Sequence, residues 1–167
     1  DYIDYGNCFG TVEYAYRKQV NEISGESYTT YAGPVFKRIS PEDIVFDPTA
    51  ATFLDTPKIV RSVMTLGDLR VEIEDYPEKQ YLEDVFKKVL NLRKKAGNVS
   101  QGEVAKNSQF IVDGFTSWKD YMTSDNVELL DFYGDIYDKD TDTLYRNYCI
   151  TVVDRAYIIR KVQLDNW

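Results

Sequence analysis

A chain of 167 residues that is 43% apolar, 29% charged and 14% aromatic fits one ordinary globular domain or two small ones, with enough apolar side chains for a real core. Its formal charge of −8 runs against a freely acting DNA binder, whose non-specific affinity comes from neutralising phosphates. It has no His, which removes the commonest general base, metal ligand and physiological pH switch.

Phe9 to Lys18 alternates Thr11, Glu13 and Ala15 against Val12, Tyr14 and Tyr16, the period of a strand. Asn21 to Glu26 holds Ser24-Gly25 and reads as a turn. Ser27 to Ile39 reads as a second strand pair around Gly33-Pro34. Ser40 to Asp43 is a further turn, Ile44 to Phe46 a short strand that Asp47-Pro48 ends, and Lys58 to Met64 another strand. Thr65-Leu66-Gly67-Asp68 resembles a capping box and puts Leu66, Leu69 and Ile73 on one helical face. Asp75-Tyr76-Pro77-Glu78 predicts a stronger helix start. From there Leu82, Val85, Phe86, Val89 and Leu90 form an amphipathic stripe that Gly97 stops. Ser100 to Gly114 and Ser117 to Thr123 suggest two short helices.

Val127 to Gln163 closes the chain as a long β-ribbon about the polar turn Lys139–Thr143. Leu130, Phe132 and Ile136 share one side of its first run. In the second run Tyr148, Ile150 and Val152 oppose Cys149 and Val153. Strands, then helices, then strands predict an α+β fold: mostly antiparallel strands at both ends, a central helical segment and a long C-terminal ribbon. One domain over residues 1–167 is expected, with apolar periodicity fading near Ala96 to Ser108. The chain opens on Asp1 and stops at Trp167 beside strand-like sequence, so an internal piece of a longer protein is expected. No apolar run reaches transmembrane length.

Each chemical candidate has a simpler structural reading. Asp138, Asp140 and Asp142 are spaced like the first ligands of a calcium loop. That loop needs Gly and Glu where Thr143 and Cys149 stand, so the acids read as turn residues. Lys87, Lys88, Arg93, Lys94 and Lys95 read as the solvated basic end of a helix. Glu72, Glu74, Asp75, Glu83 and Asp84 read as helix-start and surface acids, because catalysis by paired carboxylates needs a cleft and one raised pKa. Cys8 and Cys149 read as small residues inside strands, and Cys149 has no His to activate it. Ser24-Gly25 lacks the glycines of a nucleophile elbow. Phe115, Trp118 and Tyr121 read as a satellite core under a loop. No residue is assigned a catalytic, cofactor-binding or metal-binding role, and no cofactor is expected.

Three stretches then carry a resemblance: YIDYGNCFGTVE from Tyr2, GPVFKRISPEDIVFDPTAATFLDTPKIVRSVMTLGDL from Gly33, and LLDFYGDIYD followed by ITVVDRAYIIR in the ribbon. In this order they resemble the portal protein, or head-to-tail connector, of tailed bacteriophages. The resemblance covers most of the chain and consists of structural phrases without a catalytic signature. It implies a non-enzymatic subunit of a homo-oligomeric ring, usually of twelve copies, at one capsid vertex of the virion. DNA is packaged and ejected through such a ring. Its implied partners are further copies of itself, the terminase, capsid and tail or adaptor proteins, and double-stranded DNA that passes without sequence-specific binding. No membrane is implied. The chain resembles the wing region of that subunit. Two other readings stand beside this one: a Tyr-rich module that binds carbohydrate or peptide, and a hydrolase domain using an acid pair.

Overall fold

In the computed structural model the described residues are 6–54, 56–96 and 118–165, and the side chains at 95–96 and 118–120 fall outside that description. Where one domain over 1–167 is expected, contacts divide the chain into two compact units, Asp1–Val45 and Phe46–Trp167. The α+β class holds, with antiparallel strands at both ends and helices between. The predicted segment 100–114 and the stop at Gly97 lie outside the described residues.

The first unit is built on strand β1 (Phe9–Val20) paired antiparallel with β2 (Ser27–Ile39), from Phe9↔Ile39 to Val20↔Ser27. The Asn21 side chain accepts from the amides of Ile23 and Ser24, which folds the turn back, and Gly25 there takes φ +70°. Gly33-Pro34 does not split β2 into two strands. The ribbon has only two strands, so each is paired along a single edge and Pro34 can sit where no ladder donor is needed. Tyr31 lies over Gly33 and donates its hydroxyl to the Pro34 carbonyl at 2.6 Å. A Cβ at Gly33 would stand 3.0 Å from that hydroxyl oxygen, so the glycine leaves room for the ring.

The second sheet has the order β3 (Ile44–Phe46), β4 (Lys58–Thr65), β5 (Asn126–Asp138), β6 (Thr143–Val153) and β7 (Tyr157–Gln163). The expected C-terminal ribbon is therefore the three-stranded end of a wider sheet. Its second run breaks at Asp154-Arg155, where both residues take left-handed backbone, φ 51° and 54°, and the Ala156 amide donates to the Val153 carbonyl. That is the hairpin turn matching the twist of its strands. Opposite Gly134–Ile136 strand β6 advances by three residues, from Tyr148 to Tyr145, so the bulge lies in β6, with Asn147 at φ 57°. A Cβ on Gly134 would meet the Pro57 side chain at 2.9 Å, so only glycine admits this approach.

Two helices cover one face of the sheet. Helix α1 (Leu66–Asp75) starts on the predicted capping box. The Thr65 hydroxyl accepts from the Asp68 amide at 3.0 Å, and the Asp68 carboxylate accepts from the Thr65 amide. Pro77 does not start the next helix. It begins a single 3-10 turn, Pro77–Lys79, that Gln80 ends with φ 55°, and helix α2 (Glu83–Ala96) follows. The core gathers Leu69 from α1, Phe86 and Val89 from α2, and Val127, Leu129, Val153 and Ile159 from the sheet. Leu82 precedes α2 and is half exposed instead of joining the stripe. Its amide donates to the Ile159 carbonyl at 2.7 Å, which occupies part of the open edge of β7. Helix α3 (Trp118–Thr123) matches the second short helix predicted.

Among the described residues one buried hydroxyl stands alone. Thr56 is 2% exposed and its Oγ1 has no hydrogen-bond partner among the described residues. Thr56→Val removes that desolvated group at nearly constant shape and is expected to stabilise the fold by about 1 kcal/mol. A higher thermal midpoint would show it, whereas a lower one would mean the hydroxyl is satisfied in solution.

Candidate functional site

The second unit has a polar cluster built across four elements, with Arg93 and Glu128 buried and Arg61 and Arg155 partly exposed. Arg93 projects inward from the last turns of α2. Its Nε and Nη2 donate to both carboxylate oxygens of Asp154 at 2.8 to 3.2 Å, and its Nη1 to the carbonyls of Ser124 and Asn126. The guanidinium also lies 4.9 Å from the centre of the Tyr121 ring. The Tyr121 hydroxyl makes a short hydrogen bond to Asp154 and accepts from the Glu128 amide at 2.8 Å. Burial, then the neighbouring Asp154 carboxylate, drive the Tyr121 phenol well above its ordinary pKa. Glu128, 1% exposed, takes Arg61 from β4 at 2.8 Å and Arg155 from the turn at 2.7 Å. Each buried charge has a partner in good geometry, which is the condition for burying it at all.

A second polar row crosses β5, β6 and β7. Arg160 donates to the Thr151 hydroxyl at 2.8 Å, to Asp131 at 3.1 Å and to the Cys149 sulfur at 2.8 Å. The Thr151 hydroxyl in turn donates to Asp131. The guanidinium sits 5.2 Å from the Tyr81 ring centre, and the Tyr81 hydroxyl reaches Glu72 at 3.1 Å. Burial holds the Cys149 thiol above its ordinary pKa, against the opposing pull of Arg160. The thiolate is therefore disfavoured and Cys149 is a poor nucleophile.

The first unit presents the opposite kind of surface. On one face of the ribbon Val12 and Phe36, Tyr14 and Pro34, and Tyr16 and Ala32 are cross-strand pairs. Val12, Tyr14, Tyr16 and Phe36 are all more than half exposed. The Tyr14 and Tyr16 ring centres lie 5.0 Å apart. Ile23 at the turn is 98% exposed. Among the described residues this apolar face of the two-stranded ribbon is left open.

The sequence candidates separate along the same line. Asp138 accepts from the Asp140 amide and the Thr141 hydroxyl, and these bonds hold its carboxyl below the usual range. Asp142 accepts from the Tyr137 hydroxyl at 2.6 Å. The turn reading of these acids stands. Among the described residues no group of three or more His, Cys, Asp or Glu side chains is arranged to hold a metal ion. Glu74 and Glu83 share Arg70, Glu83 also takes Lys87, and Glu72 takes Lys79. Lys87 and Lys94 are exposed, as a solvated face requires, and Lys88 lies 4.5 Å from the Tyr157 ring centre. Arg93 departs from that reading because it is buried and paired. Tyr121 is buried, as a satellite core predicts, while Phe115 and the side chain of Trp118 lie outside the described residues.

Cys149 is buried, but Cys8 is exposed and precedes β1 instead of lying within a strand. Brief alkylation of the native protein is therefore expected to place one adduct, on Cys8, with Cys149 reacting only after unfolding. Peptide mass spectrometry reads this directly. Equal labelling of both thiols would show that the β6 centre opens on that timescale.

No family model matches the chain, and no curated protein matches it.

Proposed function

We propose that this chain is a structural assembly module, the wing-like part of a phage portal ring at the capsid vertex. The observation that carries the reading is the open aromatic face of the β1–β2 ribbon, which needs a partner surface. Two further features support it. The buried titratable groups of the second unit are spent on one another in pairs that join its elements. The three portal-like phrases run through the ribbon, the β3–β4 region and the β5–β7 sheet. In this reading the partners are further copies, terminase, capsid and tail or adaptor proteins, with double-stranded DNA passing through the ring.

Native mass spectrometry and electron microscopy of the complete gene product test it. A closed ring of one stoichiometry is expected, with no submicromolar, salt-sensitive affinity for DNA. A protein that stays monomeric at micromolar concentration would sink the proposal. The Tyr14–Tyr16 pair favours a second reading, in which the ribbon stacks carbohydrate or peptide. Glycan and peptide arrays separate the two, because an assembly face gives no saturable binding there.

A further inference from the structure

The free edge of β1 carries a self-complementary pattern. Among the described residues β1 pairs with β2 alone, so its other edge presents unpaired backbone amides and carbonyls. The strand runs from Phe9 to Val20 without proline or bulge, because at the Arg17–Lys18 register shift the extra residue, Thr30, belongs to β2. The outer edge of β2 is blunted by that bulge and by Pro34, which has no amide to offer. A two-stranded ribbon is marginal by itself, and an edge like that of β1 is a template for a further strand.

The strand that fits is set by Glu13-Tyr14-Ala15-Tyr16-Arg17. Consider a second copy of β1, antiparallel and related by a two-fold axis normal to the sheet at Ala15. It sets each Glu13 against the partner's Arg17 and each Tyr14 against the partner's Tyr16. Alternation puts the ion pairs on one face and the tyrosines, whose rings already lie 5.0 Å apart within one strand, on the other. The neighbouring two-fold registers lose this match. Centred on Tyr14 or Tyr16, they leave both charges opposite uncharged residues. Centred on Glu13 or Arg17, they oppose like charges. Glu13 and Arg17 are exposed, and the 3.7 Å pair of Glu13 with Lys37 is an exposed one that leaves the carboxylate room for a second cation. The turn acids Glu22 and Glu26 lie beyond the paired span, which ends with Val20 against the partner's Gly10.

We propose that two copies of this chain pair edge to edge through β1, joining their two-stranded ribbons into one antiparallel sheet. The contact is isologous and uses up both β1 edges, so it stops at two copies. A cyclic ring needs heterologous contacts instead. This contact couples two free chains or two rings, and it goes beyond the ring reading above without resting on it.

Sedimentation velocity of the 167-residue chain is expected to show a reversible dimer. Glu13→Arg and Arg17→Glu each turn both ion pairs into like-charge pairs, and each is expected to weaken dimerisation about tenfold. An equimolar mixture of the two is expected to recover it, and so is the double variant, because each restores opposite charges at both pairs. Circular dichroism confirms that the variants fold. A cross-link reads the register. Cys8 is exposed and is replaced by Ser. In that background Ala15→Cys puts two thiols at the axis within disulfide reach, and mild oxidation should give a covalent dimer. Thr11→Cys should give none, because its two copies stand roughly 27 Å apart along the strands.

A chain that stays monomeric at high micromolar concentration would overturn the contact. So would a dimer indifferent to both charge reversals, no recovery from folded variants, or a Thr11→Cys cross-link as efficient as that of Ala15→Cys. Rings of the complete gene product that give no Ala15→Cys cross-link overturn this contact and leave the assembly reading intact. A β1 dimer that forms no ring does the reverse.

Discussion

Arg93→Met is expected to remove about 3–5 kcal/mol of unfolding free energy, the usual cost of stranding one partner of a buried ion pair. Methionine fills much of the same space, so the loss reports charge and hydrogen bonds more than volume. Asp154 is left 7% exposed with Tyr121 as its remaining side-chain donor in the cluster, and the Ser124 and Asn126 carbonyls lose their shared donor. Urea unfolding should show a lower midpoint at an unchanged slope. Asp154→Asn in the same background removes the stranded charge, and Asn tolerates the left-handed backbone at this position. The double variant should therefore regain part of the loss, with a coupling of about 0.5–3 kcal/mol. Additive losses would show that Arg93 acts through packing alone. A loss below about 1 kcal/mol for Arg93→Met would show that water already reaches the pair.

This cluster marks the boundary between what is readable along the chain and what is not. The capping box at Thr65 and Asp68 is local chemistry between neighbours and stands as read. So do the alternation of β5 and β6 and the stripe of Val85, Phe86, Val89 and Leu90. Arg93 carries a local signal as well: it lies four residues after Val89 and seven after Phe86, on the apolar face. Grouping it with the neighbouring lysines by charge hides that spacing. Nothing local announces its partner, because Asp154 lies 61 residues away in a turn formed without Gly. Glu128 stands between Val127 and Leu129, and strand alternation alone sends it to the opposite face from those two. Its burial depends on Arg61 and Arg155, which only the assembled sheet brings together. The open ribbon face is visible as Val12, Tyr14 and Tyr16 at period two. A strand pattern records which residues share a face, and it does not say whether that face is covered.

Glu128 and Arg155 give the second large expected effect, and its size depends on background. Glu128→Gln removes the carboxylate that pairs with both Arg61 and Arg155. The two guanidiniums are 26% and 30% exposed and can turn toward water, so the expected loss is about 2–3 kcal/mol, below that at Arg93. Arg155 also holds φ 54°, a conformation that costs a side-chain-bearing residue about 1–2 kcal/mol and glycine almost nothing. Its pair with Glu128 offsets that cost. In the native background Arg155→Gly loses the pair and relieves the backbone, and a net change within about 1 kcal/mol is expected. Once Glu128→Gln has removed the charge of the pair, the relief weighs more, so Arg155→Gly should come out more favourable there than in the native background by about 1 kcal/mol. Four chemical-unfolding curves, from the parent, the two single variants and the double, are enough to see the change. If Arg155→Gly destabilises equally in both backgrounds, the ion pair is not what holds the turn. If it stabilises equally in both, the pair contributes nothing and the turn persists on its Val153–Ala156 hydrogen bond and strand pairing. A gain that appears only when Glu128 is gone would show that a buried carboxylate keeps an unfavourable left-handed arginine in place at this corner of the sheet.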